Sequence, residues 1–233
     1  MPVFERHTAF GNDRIAFEAE HLIMAGWTGR EPAAVQRHLD ELRVLGVAPP
    51  SRVPLFYRMD PALLAGPVAA IAVLGEDTSG EVEAVLVALA DGLWVGLGSD
   101  HTDRAMEAHG VAISKQLCRK PMAGELWRFD EVIGHWDQLV LRAHIVEHGE
   151  RRLYMEDALA AVRRPEDLIA ACTLELGLAK GVPLPVGTVL FMGAIGAMGG
   201  IRPAPRFEMA LADPVLGRTL RHAYDIHALS IVS

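Results

Sequence analysis

Residues 80–99 read Gly-Glu-Val-Glu-Ala-Val-Leu-Val-Ala-Leu-Ala-Asp-Gly-Leu-Trp-Val-Gly-Leu-Gly-Ser, and this stretch decides the fold class. Glu81 to Leu89 is rich in β-branched and small apolar residues, the composition of a buried strand. Leu93 to Leu97 repeats that character after Asp91-Gly92, a dipeptide that suits a tight turn between antiparallel strands. The expectation is a hairpin with its first strand opening on two carboxylates. On a strand, residues two apart face the same side, so Glu81 and Glu83 point one way.

Working outward, strand signals dominate. Val53 to Met59 reads as a short extended segment and Val68 to Leu74 as a buried run. His135 to Glu147 reads as a strand ending at the turn His148-Gly149-Glu150. Val189 to Ile195 is a further apolar strand, and the segments Phe207 to Leu211 and Arg218 to Ile226 finish the chain. Helices are fewer. Ala34, Val35, His38, Leu39, Leu42 and Leu45 recur at three- and four-residue spacing, so 31–45 is expected to be helical, with Pro32 in its first turn and Gly46 closing it. Asp103 to Lys115 and Pro165 to Gly177 are the other helical candidates. Strands too unevenly spaced for βαβ units give an α+β, β-rich class with a few peripheral helices. The whole of 1–233 is expected to form one catalytic domain, residues 1–45 supplying an N-terminal segment and a lid helix, and 46–233 a β-rich core.

Composition excludes some roles. With 51% hydrophobic residues and a net charge of -8, the chain has material for a core and lacks the basic face that non-specific nucleic-acid binding requires. Its longest apolar runs, Val68 to Leu74 and Ala84 to Ala90, are too short to cross a bilayer. No apolar block follows Glu5, Arg6 and His7, so no secretory signal is read, and a cytoplasmic address is expected. Cys118 and Cys172 make no zinc pattern and are expected as small buried hydrophobes. Trp136, Met192, Met198 and Met209 are expected in packing.

Two like-charged carboxylates on one strand face repel if buried without compensation, and a hard cation with a taste for oxygen ligands removes the repulsion. Just past the second strand comes Ser99-Asp100-His101-Thr102-Asp103-Arg104-Ala105-Met106-Glu107. Asp100 there offers a third oxygen ligand, with Thr102 and Arg104 to orient it. A helix cap by Asp100 or Thr102 is the structural alternative.

The order of these motifs resembles the fumarylacetoacetate hydrolase superfamily. There a Glu-x-Glu strand precedes an Asp-x-Ser-x-Arg-x-x-Gln loop; here the loop has Thr102 for Ser and Glu107 for Gln. His38-Leu39-Asp40-Glu41, Pro49-Pro50, Pro54-Leu55-Phe56-Tyr57-Arg58, Ser114-Lys115, Pro121 with Trp127, and Pro185 to Gly199 are similar to further family segments. The resemblance implies a mixed β-roll like the family's C-terminal domain, and Mg²⁺ or Mn²⁺ (Ca²⁺ also fits) on Glu81, Glu83 and Asp100. It implies a small ketoacid substrate, 2-keto or 1,3-dicarbonyl, whose C–C bond is hydrolysed, or which is decarboxylated, through a metal-bound enolate. Lys115, with Lys120 as rival, would add positive charge there. The His38–Glu41 pair would activate water, and Thr102, Arg104 and Gly193 would contact substrate. A homodimer is also implied. Isomerase, tautomerase or sugar-acid dehydratase activity shares the same enolate, and a non-catalytic protein binding metal and carboxylate is the competing class. Two departures bear on the chemistry: Gly187-Thr188 stands for the family's Gly-Asp, and Gly193-Ala194 for its Gly-Thr, so no hydroxyl is present at Ala194.

Overall fold

The hairpin read at residues 81–97 lies at the centre of the molecule. The computed structural model describes residues 1–33, 35, 36, 39, 40 and 49–232. Its principal strands are β1 (Val3–Thr8), β2 (Gly11–Ala16), β3 (His21–Gly26), β4 (Leu55–Met59), β5 (Ala70–Leu74), β6 (Val82–Leu89), β7 (Gly92–Ser99), β8 (Glu125–Arg128), β9 (Val140–Glu147), β10 (Glu150–Ala158), β11 (Thr188–Phe191), β12 (Arg206–Asp213) and β13 (Arg218–Leu229). Eight of them form one mixed sheet in the order β2-β1-β8-β7-β6-β11-β3-β4, and the other five a second in the order β10-β9-β12-β13-β5.

Strand β6 is buried along its whole length, as its apolar run from Ala84 to Leu89 requires, and it carries Glu83 into the interior with it. Ala84, Leu86 and Ala88 meet Leu141, Ala143, Phe207, Met209 and Leu211 of the second sheet in one core. Val85, Val87 and Leu89 face the other way, into a cluster with Phe4, Met24, Tyr57 and Phe191. Phe4 on β1 and Tyr57 on β4 belong to opposite ends of the eight-stranded order yet share that cluster, so the sheet curls around it. The result is a strand-rich α+β roll backed by a second sheet, as the class read from sequence requires.

The elements depart from expectation in instructive places. Strand β5 begins at Ala70 and alternates, Ile71 and Val73 inward and Leu74 56% exposed, because it is the edge of the second sheet with one solvent face. His135 and Trp136 lie in a 3₁₀ segment, Ile133–Gln138, and the strand starts only at Val140. Trp136 is buried there against Phe129. The helix expected over 103–115 is two short ones, Arg104–Glu107 and Val111–Gln116. Helix Pro165–Glu175 matches its reading, opened by Pro165 and followed by Gly177 at φ 77°. In the expected lid segment, residues 32, 33, 35, 36, 39 and 40 are helical. His38 and Glu41 lie outside the described residues. No helix among those described is long and apolar enough to cross a membrane.

The central hairpin depends on two glycines of β7 that leave room for neighbours. A Cβ on Gly98 would stand 2.4 Å from Phe191 Cε1 and 2.9 Å from Val85 Cγ2, and one on Gly96 only 2.3 Å from Met122 Cε. Gly98→Ala is therefore expected to destabilise the chain by about 1–3 kcal/mol through overpacking. Urea unfolding measures it, and unchanged stability would mean that Phe191 can move aside.

Candidate functional site

The open end of the β6–β7 hairpin brings three acidic side chains together. Beyond the last ladder pair, Val82 with Ser99, the amide of Asp100 donates to the carbonyl of Glu81 at 2.9 Å. Glu81 and Asp100 are thereby neighbours across the hairpin, and Glu83 follows on the same face as Glu81. One carboxylate oxygen from each of the three lies within 4.8 Å of the other two. Glu83 and Asp100 are buried, at 2% and 1% exposure. Gly80 admits the chain to this position, since a Cβ there would press on Phe207 Cδ2 at 2.7 Å.

Three cations come to meet them. Lys115, from helix Val111–Gln116, places Nζ 2.5 Å from Asp100 Oδ2 and 3.3 Å from Glu81 Oε2. Lys120, wholly buried, pairs with Asp100 Oδ1 at 2.7 Å and donates to the carbonyl of His101 at 2.6 Å. The choice between these lysines, open in the sequence, resolves into both. Arg104 Nη2 lies 3.1 Å from Glu81 Oε1 as an ion pair without a hydrogen bond, while Nε donates to Ser79 and Nη1 to Glu107.

The carboxylates consequently differ. Burial pushes the Asp100 carboxyl up, but Lys115 and Lys120 more than offset it and hold it well below the usual range. Glu81 is lowered in the same way, burial being outweighed by Arg104 and Lys115. Glu83 is the exception: burial, then the charges of Asp100 and Glu81, push it well above the ordinary carboxylate value. Its one hydrogen bond among the described residues is from the amide of Gly193, at 2.7 Å. Lys115 stays charged, because the carboxylates overcome the cost of its burial.

The other sequence candidates have definite places. Thr102 is buried and its hydroxyl donates to the carbonyl of Asp100 at 3.0 Å, holding the loop. Gly193, at φ 101°, gives its N–H to Glu83, and a side chain there would collide with Thr28 Oγ1 at 1.8 Å. Asp103 caps the helix after it by accepting from the amide of Met106. His101 has both ring nitrogens engaged, Nδ1 with the Tyr224 hydroxyl at 3.0 Å and Nε2 with Thr78 Oγ1 at 2.9 Å. Burial, aided by Lys120 and Arg104, lowers it to about 3, so it is a neutral structural bridge. Both cysteines are buried, burial raising Cys118 to about 11 and Cys172 to about 12, which leaves neither as a nucleophile. Sequence reading gave no role to Tyr57, quoted only within a family-like segment, whose ring lies 6.0 Å from Lys115 Nζ, and did not single out Ser79, which orients Arg104. Ser79 carries no local signal beyond its place on a strand.

The curled mixed sheet has solved counterparts. The fold is that of yeast ynq8, a fumarylacetoacetate hydrolase family protein, at a TM-score of 0.63 with 13% identity over 90% of this chain and 94% of that one. It is also that of a 2-keto-3-deoxyarabinonate dehydratase, at 0.67 with 17% identity over 93% and 76%. A structure of 2-keto-3-deoxy-D-arabinonate dehydratase complexed with magnesium and 2,5-dioxopentanoate matches at 0.62, with 18% identity over 92% and 75%. By sequence the chain belongs to the family described as a protein of unknown function, DUF2848, whose model matches residues 25–224. No curated protein matches it.

The raised Glu83 makes a signed prediction for the metal-free chain. A carboxyl with a higher folded than unfolded pKa binds more protons in the folded state. Its contribution is therefore complete below about 4.5, the ordinary value, and is lost as pH rises through the raised one. Urea unfolding in chelator across that range is expected to show stability falling with pH relative to Glu83→Gln. A pH-independent difference between the two would mean that Glu83 is ionised in the folded chain.

Proposed function

We propose that this chain is a divalent-metal-dependent enzyme acting on a small 2-keto or 1,3-dicarbonyl acid, with Glu81, Glu83 and Asp100 as the metal ligands. The observation that carries the reading is Glu83, a buried carboxyl with no ion pair among the described residues, set beside two others. Oxygens around one cation at about 2.1–2.5 Å can be no more than about 4–5 Å apart, and these lie within 4.8 Å of one another. The donor set is all oxygen, which suits Mg²⁺ or Mn²⁺, with Ca²⁺ tolerated.

When bound, such a cation supplies a Lewis acid for the keto oxygen and for the charge gathering there as a neighbouring bond breaks. Lys115, held charged at the same carboxylates, adds a second positive group on that side of the substrate. Lys120 and Thr102 hold Asp100 and its loop in place, so the ligands need little rearrangement. Proton removal from water belongs, in this reading, to His38 with Glu41 as its orienting partner, on sequence grounds.

Hydrolysis or decarboxylation at a C–C bond is the first form of the reaction. Dehydration of a sugar-derived keto acid is the second, favoured by the fold shared with a dehydratase that binds magnesium and 2,5-dioxopentanoate and by the missing hydroxyl at Ala194.

Incubating oxaloacetate, an acylpyruvate and a 2-keto-3-deoxy sugar acid with Mg²⁺ or Mn²⁺, with and without chelator, separates the readings by product. Ligand binding with no turnover of any of them would leave only a binding protein. At a hundredfold excess over the dissociation constant, either metal should stabilise the chain by about 2.7 kcal/mol, and Glu83→Ala should abolish that gain. Unchanged metal affinity in this variant by calorimetry overturns the ligand assignment. His38→Ala should lower kcat far more than substrate affinity; equal turnover removes it from the mechanism.

A further inference from the structure

Arg104 offers the planar fork that usually grips a carboxylate, yet here the fork is occupied from within. Its Nε donates to Ser79 Oγ at 2.7 Å, its Nη1 to both oxygens of Glu107 at 3.0 and 3.2 Å, and its Nη2 pairs with Glu81 at 3.1 Å. The Arg104 and Glu107 side chains are only 9% and 15% exposed, so water screens the pair weakly. Glu107 also adds its charge at the Tyr57 hydroxyl, alongside Lys115 and Asp100, and so belongs to the same electrostatic neighbourhood as the ligands.

The charges of this network decide what it can accept. Arg104, Lys115 and Lys120 stand against Glu81, Glu83, Asp100 and Glu107, a net charge of minus one with all seven ionised. A divalent cation turns that to plus one, the complement of a single carboxylate. A second carboxylate on the substrate would find Arg104 Nε and Nη1 already engaged, Nη2 paired in charge with Glu81, and Glu107 repelling it.

We propose that Glu107 is a specificity-determining residue: by occupying Arg104 it makes the site select keto acids with one carboxylate and an uncharged tail over dicarboxylates. The inference rests on the keto-acid reading above and narrows its substrate class.

The test uses a matched pair, 2-oxopentanoate and 2-oxoglutarate, which differ in a terminal methyl or carboxylate. Their binding to the full chain is measured by calorimetry at saturating Mg²⁺, for the native protein, Glu107→Gln and Glu107→Asp. The native chain is expected to bind the monoanion about tenfold or more tightly than the dianion. Glu107→Gln should bring the ratio near one or reverse it, and Glu107→Asp, which keeps the charge, should preserve it. Thermal melts check that both variants fold as the native chain does. Equal or tighter binding of the dianion by the native chain, or a ratio unmoved by Glu107→Gln, overturns the proposal while the keto-acid reading stands. If Mg²⁺ binds but neither acid does, that reading falls and this inference with it.

Discussion

Three carboxylates gathered at the buried end of one hairpin are the constraint around which this molecule is arranged. Unit charges no more than 4.8 Å apart repel by at least about 3 kcal/mol at the effective dielectric of a protein, and three carboxylates make three such pairs. A cluster of this kind survives folding only if cations are built around it or a proton is kept on it. Both devices are present: Lys115, Lys120 and Arg104 neutralise Asp100 and Glu81, while Glu83 is pushed toward its neutral form. Lys120 is itself wholly buried, and burial lowers its ammonium even though Asp100 and the His101 carbonyl hold it.

The two sheets make the cluster stiff. Strand β6 is held by β7 and β11, with apolar contacts on both faces, so Glu83 projects from a strand that has little freedom to twist away. From the second sheet, the Tyr224 hydroxyl holds Ser99 at 2.8 Å and His101 at 3.0 Å, on either side of Asp100. The Asp100 loop, pinned from both flanks and from within by Thr102, is preorganised, which is what the proposed charge stabilisation demands. Stability and the candidate chemistry thus draw on the same contacts.

Legibility followed the locality of the signal. The period of two that aligns Glu81 with Glu83, the Asp91-Gly92 turn and the loop carrying Asp100 are all short-range features, and they hold in the structure. Strand β2 is another matter: Gly11–Ala16 is mostly exposed and polar, and it is a strand because β1 supplies its ladder. His135-Trp136 looked like the start of a strand because it is apolar and aromatic, but a core position for Trp136 is compatible with a 3₁₀ turn just as well. The role of Lys120 as an equal partner of Lys115 had no local mark, since a lysine in a short strand is ordinarily solvated.

From residue order alone followed the β-rich class, the central hairpin and the identity of the acidic residues on its open end, because strand periodicity and turn chemistry act over a few residues. Which cations reach those acids, that Glu83 goes without one while Arg104 is occupied by Glu107, and that Tyr224 braces the loop were decided by the tertiary structure. Those contacts join residues far apart in the chain, and their strength depends on burial, which no local pattern of sequence specifies.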